Sequence, residues 1–122
     1  MTVEKLMKLA LEQAQLDAED PDVSRDWLLS LANTAYDALT EAFRGSHLGE
    51  SDDCEVPLRH DRDVPDVPEW CHIGICDYMS YGLLMAGGGT RPQRAQAFYG
   101  RWLDVLGRAR MKGSKVFQGI PR

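Results

Sequence analysis

PEWCHIGICDYMSYGLLMAGGG (residues 68–89) and the stretch that follows it, TRPQRAQAFYGRWLDVLGRARMK (residues 90–112), decide the fold of this chain. In the second stretch Ala95, Phe98, Trp102, Val105 or Leu106, and Ala109 recur at helical spacing, giving one wide apolar stripe. Thr90, three residues before Gln93, forms a capping box. Pro92 fits the first turn, where its missing N–H is not needed, and Gly113 is the expected stop. The first stretch predicts a helix that begins after Pro68 and carries Ile73, Cys76, Ser80 and Leu83 or Leu84 on one face. It ends at Gly87-Gly88-Gly89, where glycine takes the positive φ of a C-cap. Three glycines leave room for an antiparallel return, so the pair reads as a helical hairpin.

Working back from the hairpin, MTVEKLMKLALEQ opens a first helix from Thr2 to about Leu16, with Val3, Leu6, Met7, Ala10 and Ala14 inward. The acidic run DAEDPD (17–22) is a turn. Ser24 or Asp22 caps a second helix, Arg25 to about Arg44, whose apolar stripe is Trp27, Leu28, Leu31, Ala35, Leu39 and Ala42. Asp26 and Arg44 suit the two ends of its dipole. Residues 45–68 are charged and rich in proline, without helical period. Cys54 to Leu58 reads as a short edge strand, as one arm of a small hairpin, and a loop this long is either functional or mobile. The expected fold is therefore an all-α bundle of about four helices over residues 1–113, followed by an extended tail, 114–122. In that tail Lys115, Val116, Phe117, Ile120, Pro121 and Arg122 either fold back on the monomer or dock on another chain.

A chain of 122 residues is one domain on size grounds. No apolar run approaches the about 20 residues a membrane span requires, and the acid-bearing first helix does not read as a secretory signal. The origin expected from this is cytoplasmic. Three cysteines, Cys54, Cys71 and Cys76, do not suggest a disulfide framework. A zinc site would need four converging ligands, and Cys71 and Cys76 stand about 140° apart around a helix. Reduced thiols and no metal or cofactor are the expectation. Formal net charge is −5, but the sum hides a division. From Arg91 onward eight bases meet one acid, Asp104, a balance of +7; residues 1–90 hold six bases and eighteen acids, a balance of −12. Such polarity speaks about partners, although the two parts can also neutralise one another within one monomer.

Chemistry is sparse. There is no GxSxG, P-loop or HExxH motif, and the GGG at 87–89 follows a helix rather than a strand. His47, His60 and His72 have no paired group at informative spacing and read as exposed or boundary residues. Asp77, beside Tyr78, is most simply placed at the surface. The chain does not read as an enzyme. Arg94, Arg101 and Arg108 fall at successive sevens on one helical face, with Arg91 near them. Such a face suits phosphates, which makes a small nucleic-acid-binding regulator the alternative function. It also suits the acidic segments 17–26, including Asp20, Asp22 and Asp26, and 50–69 of a neighbouring subunit.

The order of parts resembles the head–tail connector (adaptor, or head-completion) proteins of tailed bacteriophages. The second helix carries an N-x-A-Y pattern at Asn33, Thr34, Ala35 and Tyr36. Pro68, Glu69 and Trp70 lead into a helix with the pair Asp77-Tyr78, and the last helix carries Arg94, Ala95, Phe98 and Tyr99. The likeness runs over nearly the whole chain through short motifs. The three cysteines and the GGG hinge depart from the family pattern. The resemblance implies an all-α structural subunit of the virion neck, made in the bacterial host cytoplasm. Copies would form a ring, twelvefold on the portal, that extends the DNA channel without sequence-specific binding. Its partners would be itself, the portal protein and the next neck or tail-completion protein. The tail residues would reach the portal. Opposite charges on the two parts of the chain fit the head-to-tail contacts of a ring, and acidic loops would keep DNA phosphates from adhering to its channel.

Overall fold

The computed structural model describes residues 1–16, 23–44, 57–86 and 91–118, with Arg91 and 113–118 described by their backbone alone. Four helices follow one another: α1 (Val3–Ala14), α2 (Arg25–Arg44), α3 (Glu69–Met85) and α4 (Arg91–Gln118). The chain is all-α, and no strand occurs among the described residues. The hairpin expected near residue 57 is not seen, for a local reason. The N–H of Leu58 donates to Oδ1 of Asn33 at 2.8 Å, and Nδ2 of Asn33 donates to the Leu58 carbonyl at 2.9 Å. One side-chain amide thus takes the place of a partner strand. Residues 54–56 of the expected strand lie outside the described residues.

α3 is the centre of the bundle. It packs against α1, α2 and α4, and α2 also packs on α4; among the described residues α1 and α4 are joined by a side-chain hydrogen bond and not by packing of one helix on the other. α1 runs parallel to it: the Cys76 thiol points to the Leu6 carbonyl at 3.7 Å, and the Ser80 hydroxyl lies 3.2 Å from the Ala10 carbonyl and 2.7 Å from Gln13 Oε1. α2 and α4 run antiparallel to it. Two glycines make the close approach possible. A Cβ on Gly74 would lie 2.6 Å from Val105 of α4, and one on Gly82 would lie 2.6 Å from Leu31 of α2. A helix enclosed on three sides has no single apolar stripe. That corrects the expected face: Ile73 is 51% exposed, because it falls between the row that meets α1 (Cys76, Ser80) and the row that meets α4 (Asp77, Tyr81).

α1 and α2 keep their expected bounds to within two residues. Thr2 Oγ1 accepts the Lys5 N–H at 3.3 Å and Ser24 Oγ accepts the Trp27 N–H at 3.1 Å, so a hydroxyl caps each helix. α1 ends on Gln15 in the left-handed region, φ 58°. Residues 57–68 are tied down. Arg25 binds Asp61 at 2.8 Å and the Arg59 carbonyl at 3.0 Å, and the Tyr36 hydroxyl accepts the Asp66 N–H at 3.1 Å. Carbonyls of Asp63 and Asp61 accept the N–H groups of Val3 and Glu4, completing the N-terminus of α1. Leu58 and Pro65 are buried beneath this loop.

α4 departs most from expectation. Gly113 does not stop it, and 114–118 continue the helix instead of forming an extended tail. A helix-interior glycine costs only about 1 kcal/mol relative to alanine, too little to end a helix whose following residues accept the conformation. Asp77 of α3 faces Arg101 of α4, and Trp70 faces Arg108. In that register the nine residues after Ala109 run past the first turn of α3 by roughly 13 Å at 1.5 Å per residue. No helix among the described residues is long and apolar enough to cross a membrane.

Candidate functional site: the basic helix α4 and the cleft between α1 and α2

The inner face of α4 follows its sequence pattern. Ala95, Trp102, Leu106 and Ala109 are buried, and aromatic rings from α3 and α4 interleave along the seam. Tyr78 meets Trp102 edge-on at 5.2 Å between centroids, and Tyr81 meets Tyr99 at 4.5 Å. Within this seam lies an ion pair that sequence reading placed at the surface. Asp77 is 1% exposed and accepts from Arg101 Nη2 at 3.0 Å. The antiparallel return is what buries it, since α4 supplies the cation that makes burial tolerable. Burial pushes the Asp77 carboxyl up, against the opposing pull of Arg101, and also raises the Tyr78 hydroxyl.

The predicted arginine row is brought together along α4, and each described member already meets its own chain. Arg94 reaches the Ala14 carbonyl at 3.5 Å, and Arg101 stacks on Phe98 at 4.8 Å while holding Asp77. Arg108 lies 4.4 Å over the Trp70 ring, with Lys112 at 5.8 Å from the same ring and Phe43 packed edge-on against it. Of the acidic candidates, Asp26 is exposed in the first turn of α2. Asp20, Asp22 and the Arg91 side chain lie outside the described residues. So do the Thr90 cap and the glycine hinge 87–89, together with Ile120, Pro121 and Arg122. Lys115, Val116 and Phe117 lie on the helical backbone of α4.

His72 corrects another expectation. It is 2% exposed rather than at the boundary. Its Nε2 donates to the Val67 carbonyl at 3.0 Å, so Nδ1 is the acceptor facing the N-terminal ammonium at 2.8 Å. Both nitrogens have hydrogen-bond partners within the chain. Cys71 and Cys76 are free, buried thiols, pushed by burial up to about 11 and about 12 respectively, far from the range of a reactive thiolate. Among the described residues no three His, Cys, Asp or Glu side chains are grouped to hold a metal ion. Exposed Asp63 is shifted the other way, since the N–H groups of His60 and Arg59 donate to its carboxylate and lower it.

Two surfaces were not singled out from the sequence. On the outer side of α4, Leu103 is 45% and Met111 63% exposed. Between α1 and the start of α2 lies an open cleft of about 420 Å³. Met7, Leu11, Val23 and Leu28 give its apolar lining, and Glu4, Lys8, Arg25 and Asp61 stand around it. Leu103 and Met111 sit off the apolar stripe, which is the signal that marked them. The cleft had none, because it depends on the angle between two helices. No family model, curated protein or solved structure matches the chain.

Proposed function

We propose that this chain is a structural, non-catalytic connector subunit of the tailed-phage type, which assembles as a ring between portal and tail and extends the DNA channel. The observation that carries this reading is the division of charge, −12 before Arg91 and +7 from it, with the basic part borne on a helix that outruns its bundle. A ring needs two different patches that complement one another, and such a chain supplies opposite signs for them. A protruding helix end also suits capture by a larger partner such as the portal protein. The buried polar groups Asp77, His72 and Ser80 all have partners within the core. Arg94, Arg101 and Arg108 already have partners in their own chain, which weighs against their row as a phosphate-tracking face.

The test is co-expression with the portal protein of the same genome, followed by affinity capture and electron microscopy. Annular particles are expected, alone or on the portal, and truncation after Lys112 should abolish capture. Full-length protein that forms no annuli and ignores the portal overturns the reading.

A further inference from the structure

The outer strip of α4 has an unusual composition for a solvent face. Gly100, Leu103, Gly107 and Met111 follow at intervals of three, four and four, so they share one side of the helix. Among the described residues a Cβ at either glycine would meet nothing within 4 Å. No described neighbour therefore needs their small size, although glycine is disfavoured inside helices. Two exposed aliphatic side chains with flat ground beside them form a ridge that another surface can approach closely. Asp104 and Arg110, both exposed, flank it with opposite signs.

The α1–α2 cleft is its counterpart in shape and charge. Its floor is aliphatic, and its 420 Å³ is more than ten times the ~30 Å³ share of a water molecule, enough for aliphatic side chains to enter. Arg25 and Asp61 at its edge are bonded to one another. Glu4 and Lys8 stand one turn apart along α1. No residue of α4 lines the cleft, and among the described residues α4 packs on α3 and α2 and not along α1, so ridge and cleft belong to different faces of the molecule. One chain cannot bring its own ridge into its own cleft.

We propose that Leu103 and Met111 of one copy seat in the α1–α2 cleft of a second copy, Asp104 meeting its Lys8 and Arg110 its Glu4, as α4 crosses α1 antiparallel. This rests on the ring reading and names the contact through which successive subunits join. It is heterologous, so each copy keeps one free ridge and one free cleft until the ring closes.

Sedimentation velocity on the full chain tests it, with circular dichroism as the check on folding, since the substituted positions are at or near the surface. Leu103→Asp is expected to weaken self-association by about a hundredfold, and Glu4→Arg or Arg110→Glu alone by about tenfold. The double variant Glu4→Arg/Arg110→Glu should recover most of the loss. A mixture of Leu103→Asp with the cleft variant Val23→Arg should stop at dimers, because one intact ridge meets one intact cleft. Association unaltered by Leu103→Asp, or a double reversal that fails to recover, overturns this contact and leaves the ring reading standing. Wild-type protein that stays monomeric to about 1 mM and also fails to assemble on the portal overturns both.

Discussion

α3 and the outer face of α4 are opposite solutions to the same problem of packing a helix. α3 is enclosed on three sides, and its polar groups are retained by partners: Asp77 by Arg101, Ser80 by Gln13, His72 by Val67. The outer face of α4 has exposed apolar groups and, among the described residues, glycines with open space above them. The same residue type therefore has opposite meaning in the two places. Glycine on α3 makes room for a neighbour that is already there, while glycine on outer α4 makes room for none within the monomer.

The largest expected contrast is between leucines. Leu84→Ala on α3, fully buried, should cost about 3 kcal/mol of unfolding free energy, while Leu103→Ala should change it by less than about 0.5 kcal/mol in dilute solution. Urea denaturation measures both, and comparable losses would break the comparison. Glycines come next. Gly74→Ala should destabilise by about 2 kcal/mol, since Val105 stands in the way, whereas Gly107→Ala should stabilise the monomer by roughly 0.5–1 kcal/mol. A loss at Gly107 would mean that the outer face is not open.

The ion pair sharpens the picture at smaller magnitude. Arg101→Met should cost about 1–2 kcal/mol by leaving Asp77 without its cation, less than for a fully enclosed pair because the guanidinium is more than half exposed. Its pH dependence has a defined sign. The folded carboxyl of Asp77 is raised above its usual 3.8, so its contribution is fully present below 3.8 and fades as pH rises through the raised value. Wild type minus Asp77→Asn, followed by urea midpoints from acid to neutral pH, should fall across that interval. A flat difference would place Asp77 at the surface, where the sequence had suggested it, and a rising one would mean that Arg101 outweighs burial. Smallest is Gln15→Gly at the left-handed end of α1, expected to stabilise by about 0.5 kcal/mol in thermal or urea unfolding.

How legible each helix was follows from how much of its circumference is buried. α1 and α2 are each buried along one side, so apolar period and hydroxyl caps located them closely. For α3, Pro68 marked the beginning, but three-sided burial erased the period, and with it the roles of Ile73, His72 and Asp77. The register of the hairpin was the missing information; once Trp70 faces Arg108, Asp77 must face Arg101. The end of α4 was misjudged because one glycine was given the weight of a stop signal. Asn33 and Tyr36 stand out in the sequence only as part of a motif, because their work in clamping residues 58 and 66 depends on the path the loop takes over α2.

The Asp77–Arg101 bond also sets the azimuth of α4. A helix held only by greasy contact can roll about its long axis at modest cost, but a roll of one residue would swing Arg101 away by about 100° and strand the carboxylate. The reach of Arg94 to the last turn of α1 is a second stop against such rotation. Whatever meets this molecule from outside therefore encounters the same strip, Gly100 to Met111, in every copy.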